Sequence, residues 1–231
     1  GKNSIFPMLD KSVHVKQHKQ IMHEIRNDKK KLEWIISADP GTVTCFAMLF
    51  TALNPYTRQL YILDEIYITD QKNTVTSFVG NEYLKIKNDL YKRMDPMQIC
   101  DEAAAWFMNE MNHQFNENFM PTNKSSKKKE EGLSLIKDML LFNKIIISDR
   151  CVNLISEMLN YIRDKNGKIP KENDHNIDNL RYILNALNYD MNKIKEPGNV
   201  ELDNKENKPW YSMEEDFSKE IKNWSESEWD Y

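Results

Sequence analysis

Residues 34–41 read Trp34-Ile35-Ile36-Ser37-Ala38-Asp39-Pro40-Gly41. A short apolar run ends in a carboxylate and a Pro-Gly breaker, which predicts a buried strand stopping at Asp39. Thr44 to Leu53 is a second apolar run, rich in Phe, Met and Leu, and Gln59 to Thr69 is a third. Asn54-Pro55-Tyr56-Thr57 joins the second and third as a turn. These three runs predict an antiparallel meander.

Downstream, strands and helices alternate. Thr74 to Met94 carries Phe78, Leu84 and Leu90 at helical spacing and stops at Asp95-Pro96. Gln98-Ile99-Cys100 predicts a short buried strand ending at Asp101-Glu102, followed by a helix over 103–116 and an extended piece over 119–122. Residues 127–142 form an amphipathic pattern on Leu133, Ile136, Leu140 and Leu141. A strand over 144–148, a helix over 152–159 and a helix over 173–192 complete the series. Tyr161 to Ile169, centred on Asn166-Gly167, predicts a β-hairpin. Three strands followed by strand–helix alternation predict an α/β fold with a mixed sheet between helices.

The chain has 231 residues, with 32 Lys+Arg against 36 Asp+Glu, a net charge of −4. That length suits one domain with extensions and a core that needs no disulfide. Three Cys without paired spacing argue against a disulfide framework and a zinc site, so a soluble protein of a reducing compartment is expected. No stretch approaches the roughly 18 apolar residues of a membrane span, and no signal segment opens the chain. Lys195 to Tyr231 holds eleven acids and five bases, a net of −6, so residues 1–194 carry +2. The mild acidity that at first disfavours a nucleic-acid partner thus belongs to the tail. Three segments follow: a lead-in over 1–31, a domain over 32–194 and an acidic, aromatic tail over 195–231. In the lead-in, His14 and His18 are four apart, but no third ligand follows at zinc-like spacing, so a solvent-exposed helix is expected there.

The informative feature is the placement of carboxylates. Asp39 and Asp101 each end a predicted strand, while Asp174 and Asp178 begin the last helix four residues apart and so share a face. Taken singly, each has an ordinary explanation. An Asp before Pro-Gly suits a turn, Asp101 suits a helix cap, and Asp174 suits an N-cap. Taken together, they sit at element ends where one site could form. Such a cluster needs a compensating cation, and hard oxygen donors select Mg²⁺ or Mn²⁺. Two such ions can activate water for phosphodiester cleavage.

The ordered set Asp39-Pro-Gly-Thr, Tyr61-Ile-Leu-Asp-Glu-Ile-Tyr67, Ile99-Cys-Asp101-Glu and Asp174-His-Asn-Ile-Asp178-Asn-Leu-Arg-Tyr182 resembles the C-terminal nuclease domain of tailed-bacteriophage terminase large subunits. The segment Tyr161 to Ile169 and the Lys-rich approach to Gly132-Leu133 add to the likeness, which runs from about Trp34 to Tyr189. It implies an RNase H-like fold: a central mixed five-stranded sheet, or a slightly larger one, with helices on both faces and a β-hairpin insertion. It also implies a two-metal endonuclease that cuts concatemeric viral double-stranded DNA during packaging. By the resemblance, Asp39, Asp101 and Asp178 are metal ligands, Asp174 is a further acidic member, and His175 lies near the metal or the scissile phosphate. The implied partners are DNA, a packaging ATPase domain, the portal and the small terminase subunit. The implied location is the cytoplasm of the infected bacterium, transiently on the procapsid and not in the mature virion.

The six Gly are too scattered for a Gly-x-x-x-x-Gly-Lys phosphate loop, so ATP hydrolysis by this chain alone is not expected. Gly1 in place of an initiator Met suggests an excised domain, and a separately encoded nuclease is the other possibility. Lys124, Lys127, Lys128 and Lys129 before a helix, and Arg163, Lys165 and Lys168 on the hairpin, are candidate phosphate contacts. Met213, Phe217, Ile221 and Trp224 would share one face of a short acidic helix, folded back on the domain or docked on a partner. Three competing readings remain. Another RNase H-like nuclease, such as a Holliday-junction resolvase, also suits Asp39-Pro-Gly-Thr. A non-catalytic DNA-docking or assembly module is a second. An actin-like nucleotide site is a third, and it lacks its second glycine loop.

Overall fold

The computed structural model describes residues 3–41, 45–69, 76–92, 94–122, 129–170 and 172–190. Seven strands form one sheet: β1 (Val15–Lys16), β2 (Glu33–Pro40), β3 (Phe46–Leu53), β4 (Leu60–Ile68), β5 (Met97–Cys100), β6 (Met120–Pro121) and β7 (Ile145–Ser148). Their order is β1-β7-β4-β3-β2-β5-β6. The expected meander is β2-β3-β4, in which β3 runs antiparallel to both neighbours. Every other pairing in the sheet is parallel. β1, β2, β4, β5, β6 and β7 therefore end on the same side of the sheet.

Among the described residues, seven α-helices flank the sheet: α1 (Lys11–His14), α2 (His18–Glu24), α3 (Thr76–Leu90), α4 (Ala105–Phe115), α5 (Lys129–Leu141), α6 (Val152–Asn160) and α7 (His175–Ala186). One face of the sheet packs on α5, α6 and α7 through Ile136, Leu140, Leu154, Met158, Ile177, Leu180 and Ile183. The other packs on α2, α3 and α4 through Ile21, Val79, Tyr83, Phe107 and Met111. Strand alternation sorts β2 accordingly: Ile35 joins the first core, while Trp34, Ile36 and Ala38 join the second. β3, Phe-Ala-Met-Leu-Phe-Thr-Ala-Leu, is buried along its whole length, the signature of a strand covered on both faces.

In β4, Asp64 pairs with Phe50 and Ile62 with Thr51, leaving Leu63 as an extra residue. This bulge shifts the alternation by one, and it places Glu65 and Tyr67 on the α6–α7 face.

Two expectations are corrected. The lead-in packs into the fold: β1 pairs with β7, and Ile5, Phe6, Ile21 and Ile25 are buried. His14 and His18 are likewise buried rather than solvent-exposed. Tertiary contacts satisfy their rings: His14 Nε2 lies 2.9 Å from the Leu140 carbonyl, and His18 Nδ1 lies 3.1 Å from that of Leu63. The second correction concerns residues 161–169, which form a tight turn rather than a hairpin of two strands. Asp164 N donates to the Lys168 carbonyl, and the Asp164 side chain accepts from Asn166 N and Lys168 N. Ile162 bridges Ser4 instead, with Ile5 N donating to Tyr161 O and Arg163 N to Asn3 O. The N-terminal segment has taken the edge that a hairpin partner would occupy.

The acidic tail from Lys195 onward, including Met213, Phe217, Ile221 and Trp224, lies outside the described residues. No helix among the described residues is long and apolar enough to cross a membrane.

Candidate active site

The site follows from the register of β2 and β5. Ala38 pairs with Cys100, and Asp101 N donates to the Ala38 carbonyl at 3.0 Å. Asp39 and Asp101 therefore leave the ends of adjacent parallel strands side by side. Asp39 follows Ile35 and Ser37 in alternation, and Asp101 follows Ile99, so both carboxylates belong to the face that α7 covers.

α7 meets that face with His175, Asp178, Asn179 and Tyr182, spaced i, i+3, i+4 and i+7. His175 Nδ1 lies 2.9 Å from Asp39 Oδ2. The buried Ser37 hydroxyl donates to Asn179 Oδ1 at 2.7 Å, which locks the helix to β2 one turn in. The Tyr182 hydroxyl is 3.5 Å from Asp101 Oδ2. Asp101 also caps the short 3₁₀ turn that follows it, accepting from Ala103 N at 2.9 Å. The capping explanation and the site placement thus coexist in one residue.

Asp178 accepts from Arg181 Nη1 at 2.6 Å and lies 3.4 Å from Lys129 Nζ. Lys129 also pairs with Asp174, whose Oδ2 accepts from the Tyr161 hydroxyl at 3.0 Å. Asp174 precedes α7, but its side chain makes no capping bond and is spent on Lys129 and Tyr161 instead. The helix N-terminus is served by Glu157 of α6, whose Oε2 accepts from Asn176 N and Ile177 N at 2.9 and 3.1 Å. Glu65 serves α6 in the same way, accepting from Asn153 N and Leu154 N, and it also holds the Asn176 amide. The buried Glu157 and the half-buried Glu65 thereby tie β4, α6 and α7 together behind the rim.

Proton affinities report the same crowding. Burial raises the Asp178 carboxyl above its usual range, against the opposing pull of Lys129 and Arg181. His175 is raised, chiefly by its bond to Asp39. The Tyr182 phenol is raised by burial and by the charges of Asp178, Asp101 and Asp39, so all three carboxylates act on one hydroxyl. Burial lifts Glu157 to about 7.

Asp39, Asp101, Asp178 and His175 thus share one rim, with Asp174 one turn back at the mouth of α7. The donors are hard oxygens and one imidazole, a set that fits Mg²⁺ or Mn²⁺. Among the described residues, no three such side chains stand close enough to enclose one ion as placed. Each is drawn toward a protein partner instead. Of the proposed phosphate contacts, Lys129 is engaged with the carboxylates, and Arg163 is paired with Glu130 at 2.8 Å. Lys165 and Lys168 lie on the turn at 161–169, where Lys165 is exposed. Lys124, Lys127 and Lys128 lie outside the described residues. Sequence reasoning gave no role to Arg181, Tyr161, Glu65 or Glu157. Only Arg181 carried a local signal, standing three residues after Asp178 on one helix face. A cavity of about 400 Å³ opens beside α7's first turn, lined by Tyr67, Glu157, Tyr161 and Asn173 among others, and Asp39, Asp101 and Asp178 are not part of its wall.

Comparison with known proteins gives a consistent picture. Residues 81–187 match the family described as a terminase RNaseH-like domain. No curated protein matches the chain. Among solved structures, the large terminase of a thermophilic bacteriophage superposes with a TM-score of 0.64 at 20% identity, covering 81% of this chain and 46% of that one. The chain thus spans about half the length of that relative. The nuclease domain of the bacteriophage P22 large terminase matches with a TM-score of 0.60 at 14% identity, covering 82% of this chain and 94% of that domain. The nuclease domain of the bacteriophage SPP1 large terminase, solved with bound Mn, matches with a TM-score of 0.58 at 17% identity, covering 78% and 96%.

Proposed function

We propose that this chain, similar over residues 81–187 to a terminase RNaseH-like domain, is the nuclease domain of a phage large terminase, a divalent-metal-dependent endonuclease that cuts concatemeric viral double-stranded DNA during genome packaging. One observation carries the reading. Asp39 and Asp101 end neighbouring parallel strands beneath the helix face bearing His175 and Asp178. The SPP1 domain, solved with bound Mn, supports a divalent ion as cofactor.

Asp39, Asp101 and Asp178 would hold the metal, Mg²⁺ or Mn²⁺ and two ions in this reading, with Asp174 as a further acidic neighbour. Bound there, such ions lower the pKa of a water and neutralise charge on the scissile phosphate. The protein's own residues do the rest. Ser37 and Asn179 fix α7 over the strand ends, so that His175 and Asp178 keep their distance from Asp39 and Asp101. His175, its proton affinity raised by Asp39, holds a proton beside the site that it can give to the leaving 3′ oxygen. Products would carry 3′-hydroxyl and 5′-phosphate ends. Lys165 and Lys168 on the 161–169 turn supply sequence-independent backbone contacts. The packaging ATPase, portal and small terminase subunit are partners of the same reading. So are a cytoplasmic location in the infected bacterium and transient residence on the procapsid.

Plasmid cleavage tests this. Wild-type protein should nick and linearise DNA with Mn²⁺ or Mg²⁺, and EDTA should stop it. Asp101→Ala should lower the rate at least about 100-fold, the scale on which loss of one charge-stabilising group acts. Equal cleavage by both proteins would remove Asp101 from the site.

A further inference from the structure

The carboxylates of the site differ in what neutralises them. Asp39 faces His175, and Asp101 faces a backbone N–H and a tyrosine hydroxyl. Asp174 and Asp178 share Lys129, which bonds the first and lies 3.4 Å from the second. Asp178 has in addition the Arg181 guanidinium at 2.6 Å.

The two cations are not equally held. Arg181 is packed against α5 at Gly132, where a Cβ would come within 3.0 Å of its Nε and 3.2 Å of its Cγ. Its side chain is only 15% exposed, so it has little room to move. Lys129 is the first residue of α5, its side chain is 31% exposed, and its charge rides on a flexible four-carbon stem. If Lys129 swings out, neither carboxylate is stranded. Asp174 keeps the Tyr161 hydroxyl and Asp178 keeps Arg181.

We infer that Lys129 is the exchangeable counter-ion of the Asp174–Asp178 pair, and that a divalent cation enters the site by displacing its ammonium. Lys129 is then a positioning residue that sets metal affinity. It holds the acidic pair together without the ion and competes with the ion for the same oxygens. The inference rests on the metal-dependent reading above, and its consequence is counter-intuitive for a residue that bonds the site: removing it should improve metal binding.

The test is Mn²⁺ binding, followed by titration calorimetry and by the electron paramagnetic resonance signal of free Mn²⁺, on the full chain without DNA. Wild type, Lys129→Met, Lys129→Arg and Asp178→Asn are compared. Lys129→Met should bind Mn²⁺ about tenfold more tightly, the scale of one charge-assisted hydrogen bond removed from competition. Lys129→Arg, which keeps the charge, should stay within about twofold of wild type. Mn²⁺ should also raise the melting temperature of Lys129→Met more than that of wild type, because ligand stabilisation follows affinity. If wild type binds Mn²⁺ in an Asp178-dependent way and Lys129→Met binds no more tightly, the exchange idea fails and the metal site stands. If wild-type binding is absent, or indifferent to Asp178→Asn, the metal-dependent reading fails and the exchange idea with it.

Discussion

Glu157 shows what one side chain reveals at this site. Its carboxyl is buried, accepts two backbone N–H groups at the start of α7, and has its pKa lifted to about 7, mainly by loss of solvent. A carboxyl whose folded value lies above its unfolded value of 4.5 contributes stability that is full below 4.5 and is lost as pH rises through about 7. At about 1.4 kcal/mol per unit of separation, wild type should lose about 2–3 kcal/mol from this group between pH 4.5 and pH 7.5. Glu157→Gln keeps the acceptor and removes the titration. Urea unfolding at the two pH values should show a flatter dependence in the variant, and parallel curves would contradict the assignment. At this scale the sequence was uneven. The placement of Asp39, Asp101 and Asp178 was legible because strand ends and a helix face announce themselves in spacing. Lys129 was legible only as one of a basic run, since its partners lie 45 and 49 residues away and no local pattern links them. His14 and His18 were misplaced for the same reason: their acceptors are the carbonyls of Leu140 and Leu63.

Among the elements, type and order were largely written in apolar periodicity, and pairing was not. The fully buried β3, the β2-β3-β4 meander and helices α3 to α7 all follow from their patterns. The bulge at Leu63 is invisible to such counting, yet it decides that Glu65 and Tyr67 serve α6 and α7. The hairpin expected at Asn166-Gly167 failed because turn chemistry is local and strand pairing is not. Packing between helices is also specific. On α3, a Cβ at Gly80 would overlap the Phe115 ring of α4. Gly80→Val should therefore destabilise the protein by about 1–3 kcal/mol through overpacking, despite the better helix propensity of Val. Adding Phe115→Ala should recover part of that loss in chemical denaturation. Additive losses would show that the ring is not the obstacle.

For the whole molecule, the fold alone does not choose the substrate, because one fold hosts many functions. The packaging reading makes a direct prediction. Linear duplex should be cleaved at a rate similar to that of a four-way junction of the same length, in gel assays with Mn²⁺. A preference for the junction of about tenfold or more would move the assignment to a resolvase. The net charge of −4 is a poor guide here, since residues 1–194 sum to +2 and several of their acids surround the site.

The first strand of the sheet also bears on the order of folding. Val15 and Lys16 pair with Ile147 and Ser148, and Ser4 bridges Ile162, so the earliest residues of the chain close on partners made more than 130 residues later. Such long-range closure carries a high entropic cost until the intervening chain is ordered. During synthesis β3 has both its partners close in sequence, whereas the N-terminal segment must wait. The β4 edge of the sheet therefore stays open until β7 is made. The apolar Ile5 and Phe6, buried in the finished protein, are the side chains most in need of shielding in the meantime.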